Sequence, residues 1–339
     1  MSGPSALPLG ASQPDGSGLS RYDAFSPPNW AWHGMSVVVF AYHDVGCMGV
    51  RTLKALGIEV ARVYTHEDDP NENRWYGSVA KTCAEIGVTC TTANPHDPAE
   101  IDVISRIAPD AIFSLYYRDM IKDSVLSIAK RGAVNLHGSY LPRYRGRAPV
   151  NWQILHGETQ GGVTLHYMVK RADAGDIVDQ EALPIAPDDT GVDVYRKMLP
   201  AAEAVLRRSA KAVLDGTAPR IRQMESKATY YGRRRPEDGL IDWNWCAEDV
   251  RNLVRAVTKP YPGAFTFASG RRINVWRVSH AGEPQPRATG TVLNSSGGAY
   301  VVCGDRRLVS LDSVEIAGRE GRGRDFADVL AHGTRLGGA

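Results

Sequence analysis

The sequence predicts an α/β protein: a Rossmann-like, mostly parallel sheet with helices on both faces, followed by a small β-rich domain. Two observations carry this prediction. From Ser36 onward, apolar runs of strand length alternate with helix-length segments, the pattern of βαβ units. Past Gly216 the texture changes to short β-type runs broken by Gly and Pro, which suits a separate β-rich unit. At 339 residues and 43% hydrophobic content, the chain can build two cores.

Taken in order, residues 1–34 hold five Pro, five Gly and six Ser with almost no charge, too little apolar surface to offset ordering entropy. A flexible extension is expected there, with Tyr22, Phe25, Trp30 and Trp32 as its apolar exceptions and Met35 as an alternative start. Strands are expected at 36–42, 59–65, 111–116 and 132–136, and helices at 48–56, 76–86 and 122–130. His43-Asp44 before Gly46-x-x-Gly49 lacks the dinucleotide Gly-x-Gly-x-x-Gly, so it reads as a strand-to-helix turn whose glycines permit close approach. Gly162–Met168 and Asp176–Ile185 read as strands joined by a Lys170–Gly175 turn. A long helix follows from Asp193 to Leu214, with Val194, Met198, Ala201, Val205 and Leu206 at helical spacing and Thr190 or Asp189 as cap. The domain boundary falls in 216–240, giving an α/β domain of 35–222 and a β-rich domain of 223–320. Its strands are Ile273–Val278, Gly290–Leu293, Ala299–Cys303 and Leu308–Val314, and the Gly- and Arg-rich residues 321–339 are expected to fray.

Composition excludes several classes. Forty basic against 38 acidic side chains leave a net charge of +2, without the global basic field that draws proteins onto nucleic acid. Cysteines at 47, 83, 90, 246 and 303 form no Cys-x-x-Cys pair, which argues against structural zinc and for a reduced, cytoplasmic protein. No apolar run approaches the ~20 residues needed to cross a bilayer, and no secretory leader is apparent. No metal is implied, because His-Glu-x-x-His, Walker and Gly-x-Ser-x-Gly motifs are all missing.

The chemistry concentrates in Asn135-Leu136-His137-Gly138-Ser139 and the following Leu141-Pro142-Arg143-Tyr144-Arg145-Gly146-Arg147-Ala148-Pro149. On a strand, Asn135 and His137 share one face. Gly138, Pro142 and Gly146 then impose a loop at the strand's carboxyl end, where open α/β sheets keep their ligand crevice. An amide that can hold a developing oxyanion beside an imidazole that can move a proton suits acyl transfer. Asp173 alone would be a solvated turn residue, but strands returning along the same sheet place it beside His137, where its charge favours the imidazolium. Arg143, Arg145 and Arg147 read either as a solvated loop or as a phosphate or carboxylate clamp. His166 reads as a buried supporting histidine rather than a catalytic one.

These residues resemble the folate-dependent formyltransferase family, whose pattern is Asn-x-His, a Leu-Pro-x-x-x-Gly loop and an Asp about one hairpin later. Arg145–Trp152 and Val169–Gly175 look most like the formyltransferase domain of bifunctional polymyxin-resistance proteins, and the likeness spans residues 35 to 305. The resemblance implies transfer of a formyl group from 10-formyltetrahydrofolate to the 4-amino group of UDP-4-amino-4-deoxy-L-arabinose, a lipid A modification. It implies catalysis by Asn135, His137 and Asp173, and folate contacts from Asp119, Met120, Ile121, Arg147, Val169, Lys170, Arg171, Ala172 and Asp173. It also implies an open barrel for the β-rich domain, a nucleotide-sugar partner rather than nucleic acid, no membrane insertion, and a form compatible with homo-oligomers. The sugar decarboxylase half of the bifunctional proteins has no counterpart here, so a separate UDP-glucuronate decarboxylase is expected. Methionyl-tRNA formyltransferase and formyltransferases for other nucleotide-linked amino sugars are the alternatives. Lys170-Arg171-Ala172-Asp173 departs from the Leu-Asp-Thr-Gly type of hairpin usual in the former.

Overall fold

A computed structural model describes residues 34–68 and 73–337. The expected N-terminal extension therefore lies outside the described residues, apart from Gly34. Met35 onward forms one compact unit.

Its centre is a seven-stranded sheet. Strands β1 (Ser36–Ala41), β2 (Glu59–Tyr64), β3 (Cys90–Thr91), β4 (Ala111–Leu115), β5 (Ala133–His137), β7 (Gln160–Tyr167) and β8 (Ile177–Pro184) lie in the order β3-β2-β1-β4-β5-β7-β8. Pairing is parallel from β3 through β5, and antiparallel where β7 and β8 join. The near-continuous apolar runs of β1 and β4 follow from burial on both faces. On one face, Val38, Phe40 and Ile112 pack with Ile104 of α3 (Pro98–Ile107) and Val125 of α4 (Asp123–Leu126). On the other lie α1 (His43–Ala55) and α6 (Gly191–Asp215), where a Cβ on Gly49 would meet Leu115 Cδ1 at 2.3 Å. Glycine there allows the close helix-to-sheet approach that the sequence predicts.

Helix boundaries follow local signals. Ser78 caps α2 (Val79–Ile86) by accepting from Lys81 N, and Gly87 closes it in the left-handed region. Thr190 and Asp193 form a capping box at the start of α6, and Gly216 ends it. Helix α3 escaped the periodicity reading, although Asp97-Pro98 is a start signal with proline at the first helical position. The helix expected over 122–130 is a single turn. Beyond it Lys130 N and Arg131 N bond back to Pro109 O and Asp110 O, which turns the chain toward β5.

The C-terminal part packs α7 (Ala247–Val257) against an antiparallel sheet. Strands β10 (Ala264–Ala268), β11 (Arg271–Ala281), β14 (Leu308–Ile316), β13 (Gly298–Val302) and β12 (Val292–Ser295) lie in that order, with β15 (Arg319–Gly321) on β14. Residues 321–337, expected to fray, are packed. Phe326, Leu330 and Leu336 are buried, and Arg335 and Gly337 bridge to Thr291 and Phe267, so the segment spans the two open edges of the sheet. Apolar burial and satisfaction of edge hydrogen bonds outweigh its Gly- and Arg-rich composition. No helix among the described residues is long and apolar enough to cross a membrane.

Candidate active site

The alternation of β5 puts Asn135 and His137 on one face, and the antiparallel register with β7 sets His166 directly opposite Asn135. Asp173 comes from the turn between β7 and β8, at φ 52, a region sparsely used by non-glycine residues. The four side chains meet. His137 Nδ1 is 3.6 Å and His166 Nε2 is 3.4 Å from Asp173 Oδ1. Asn135 Nδ2 lies 3.2 Å from His166 Nε2 and 3.4 Å from Asp173 Oδ1.

Two backbone carbonyls order the rings. His137 Nε2 donates to Tyr144 O at 2.8 Å, which fixes the proton on that nitrogen and turns Nδ1 toward Asp173. His166 Nδ1 donates to Tyr167 O at 2.9 Å, and its Nε2 lies between the Asn135 amide nitrogen and Asp173 Oδ1. Asn135 is therefore turned inward, and its nitrogen is engaged within the cluster; the register that brings His166 opposite it is the reason. Burial alone would raise the Asp173 pKa, but His137, His166 and the Gly146 N–H, which donates to Oδ2 at 2.8 Å, hold it far below the usual carboxylate range.

This cluster faces a cavity of about 300 Å³ at the carboxyl ends of β4 and β5. Asp119, Met120 and Ile121 line it, as do Arg147, Val169 and Ala172. Lys170 and Arg171 do not. Arg171 instead pairs with Glu225 at 3.0 Å and covers the Tyr230 ring, which draws it away from the cavity.

A family model described as formyl transferase matches residues 35–209, and one described as the formyl transferase C-terminal domain matches 234–328. The chain belongs to the formyl transferase family. Its fold is shared with solved structures of low identity. WlaRD, a sugar 3N-formyl transferase crystallised with dTDP and 5-N-formyl-THF, is 17% identical with a TM-score of 0.62, over 84% of this chain and 98% of that one. An N-formyltransferase from Helicobacter canadensis, in complex with folinic acid and dTDP-3-aminofucose, is 18% identical with a TM-score of 0.61, over 81% and 98%. A sugar N-formyltransferase from a Shewanella species is 17% identical with a TM-score of 0.59, over 74% and 99%.

In this formyl transferase the arginine triplet of the loop divides into three roles. Arg145 is fully buried and bonded to Gln223, Glu225 and Tyr230, so it is a strut and no phosphate clamp. Arg143 pairs with Glu158. Arg147 alone reaches the cavity. A second cavity of about 230 Å³ shares Ala148 with the first and is lined by Asn151, Arg234, Arg235, Val257, Tyr261 and neighbouring residues.

The sequence reading passed over the aromatic cluster behind the site. His43, at φ 63 where β1 meets α1, stacks on Tyr76 with centroids 3.6 Å apart, bonds Tyr195 OH through Nδ1 and lies beside Trp75 and Tyr116. Only the unusual backbone of His43 and Tyr116 marks the place, and sequence does not display backbone angles. Burial, and next the Arg118 guanidinium, push the His43 pKa from 6.5 down to about 3. The folded state keeps this ring neutral while the unfolded chain protonates it, so His43 makes the protein less stable as pH falls from about 6.5 toward 3. The slope approaches about 1.4 kcal/mol per pH unit. Urea unfolding of wild type and His43→Phe at pH 7.5, 6 and 4.5 should show the stability difference shifting in favour of the variant on acidification. A difference that does not change with pH refutes this.

Proposed function

We propose that the protein transfers a formyl group from 10-formyltetrahydrofolate to the 4-amino group of a nucleotide-linked sugar, namely UDP-4-amino-4-deoxy-L-arabinose. The observation that carries the reading is the His137–Asp173 pair, 3.6 Å apart, at the floor of a cavity lined by Tyr116, Tyr117, Ile121, Leu126 and Met168. Flat aromatic and apolar walls around about 300 Å³ fit a heteroaromatic one-carbon donor, whose contribution is an activated formyl group. Asp119–Ile121, Arg147, Val169 and Ala172 would hold it.

The rest of the chemistry belongs to the chain. The attacking amine must lose a proton and the leaving nitrogen must gain one. His137 Nδ1 can carry that proton, because Nε2 is anchored and Asp173 stabilises the protonated ring. Asn135 holds its amide 3.4 Å from Asp173, and that long bond is the one it exchanges for charge developing on the transferred carbonyl oxygen. The cavity sharing Ala148, with Arg234 and Arg235 in its wall, supports an acceptor that carries a diphosphate.

The resemblance in Arg145–Trp152 and Val169–Gly175 favours the UDP-linked arabinose, whereas dTDP-3-aminofucose, present in the Helicobacter canadensis complex, makes dTDP-amino sugars the competing acceptors. Mass spectrometry over UDP- and dTDP-amino sugars and charged initiator tRNA decides between them. Efficient formylation of UDP-4-amino-4-deoxy-L-arabinose with inert tRNA is expected. Salt is a second readout, because a tRNA contacted at 6–10 phosphates loses about 10³–10⁵ in affinity between 50 and 200 mM salt, and a sugar nucleotide far less. Turnover of tRNA with a steep salt slope and no turnover of the sugars would hand the assignment to methionyl-tRNA formyltransferase.

A further inference from the structure

The turn that carries Asp173 has one internal backbone bond, Ala174 N to Arg171 O at 3.3 Å, and is otherwise held from outside. Asp173 sits at φ 52, and its own backbone carbonyl, together with those of Ala172 and Gly175, accepts hydrogen bonds from outside the turn. All come from the segment that leads out of the catalytic sheet toward α7. Gln223 Nε2 donates to Asp173 O at 2.8 Å and to Gly175 O at 2.7 Å, and Tyr230 OH donates to Ala172 O at 3.3 Å. Arg145 locks both donors from behind. Its guanidinium donates to Gln223 Oε1 at 3.0 and 2.7 Å and to Tyr230 OH at 3.0 Å, with Glu225 balancing the charge at 2.8 Å. Arg145 is 0% exposed and Gln223 5% exposed, so water cannot replace the bonds between them or those from Gln223 to the turn.

The same segment reaches the carboxylate itself. Arg145-Gly146 (β6) pairs in parallel with Tyr230-Tyr231 (β9), and that pairing presents Gly146 N–H to Asp173 Oδ2. Gly146 stands at φ 99, and a Cβ there would lie 2.2 Å from Tyr231 O, so only glycine permits the approach. One buried arginine thus ties the turn backbone, the carboxylate and the connecting segment into a single hydrogen-bonded unit.

We infer that Gln223 and Arg145 are positioning residues for the reaction: they set the Asp173 carboxylate against His137 and make the connection to the C-terminal part a working piece of the active site. The inference rests on the reading of Asp173 and His137 as the reacting pair. Its physical reason is that displacements of about 1 Å at a reacting group cost up to about 10²-fold in rate, so a turn strained at φ 52 needs external bonds to hold its place.

The test separates positioning from packing. Gln223→Glu fills the same space and still accepts from Arg145, but cannot donate to Asp173 O and Gly175 O. A packing role therefore survives in that variant and a positioning role does not. In the full-length protein, with 10-formyltetrahydrofolate and the acceptor that wild type formylates, Gln223→Glu should lower kcat by about tenfold or more with KM for both substrates little changed. Combined with Asp173→Asn it should add almost nothing, because both act through one carboxylate. The His137 ring ¹⁵N signals, which need no acceptor, should move in Gln223→Glu in the same sense as in Asp173→Asn. Should Gln223→Glu not fold, Tyr230→Phe, at a half-exposed site, removes one bond to the turn and should lower kcat about threefold by the same reasoning. Wild-type kcat with unmoved His137 signals in Gln223→Glu, or in Tyr230→Phe where that variant is used, overturns the positioning role while an impaired Asp173→Asn leaves the reacting pair standing. Wild-type turnover of Asp173→Asn overturns the pair and this inference with it.

Discussion

Replacing His137 by Ala should lower kcat by about 10²–10⁴, the usual size of a general acid–base contribution, while the folate donor still binds. The structure gives a reason to expect the upper part of that range. His137 is 6% exposed, its Nε2 is held by Tyr144 O, and Asp173 is the carboxylate beside Nδ1, so the imidazole is preorganised and no neighbour occupies the same place. His166 cannot substitute, because its Nε2 is engaged by Asn135 and its Nδ1 by Tyr167 O. Steady-state kinetics with a donor-binding measurement provide the check, and circular dichroism confirms the fold. Near-wild-type turnover would remove His137 from the mechanism.

Asp173→Asn should come next in size, with a kcat loss of about 10²-fold or more and an intact fold. The variant keeps the shape and can still accept from Gly146 N, but removes the charge that stabilises a protonated His137. It also carries a pH signature. Because the folded-state pKa of Asp173 lies below the unfolded value, its ionised form contributes stability above about pH 3.9, and that contribution is lost as pH falls through the folded-state value. The Asp173 contribution to the stability gap between wild type and Asp173→Asn should therefore be fully present above about pH 4 and shrink as pH drops below it. Denaturant unfolding at pH 7, 5 and 3.5 measures it. A gap that is constant across that range would mean that the carboxylate's charge is not what the cluster holds.

Much of the site was legible because it is local. Asn135-x-His137 lies within one strand, whose period of two already places both side chains on one face, and the glycines and proline that follow end the strand where they stand. The Thr190 capping box of α6 is equally local, since cap and partner are three residues apart. Asp173 beside His137 was legible too, but the fate of most residues set by distant partners was not. Arg143, Arg145 and Arg147 are the same residue type at alternate positions, yet one is paired at the surface, one is a buried strut and one lines the cavity. Their fates depend on Glu158, Gln223 and an open wall, none of which the triplet encodes. Lys170 and Arg171, expected at the folate, are not in the cavity lining, and Arg171 is drawn the other way by Glu225 and Tyr230.

The amino-acid sequence by itself determined the parallel sheet, the strand that carries Asn135 and His137 and the chemical type of its residues, because periodicity, caps and turn residues act over a few positions. Tertiary structure alone decided that His166 faces Asn135, that His137 Nε2 is held by Tyr144 O, and that a segment more than 40 residues downstream bonds to the Asp173 turn. It also decided that the Gly- and Arg-rich end of the chain spans the open edges of a sheet instead of fraying. Register, hydrogen-bond direction and burial are properties of pairs of residues far apart in the chain, and such pairs acquire an energy only once the fold has brought them together.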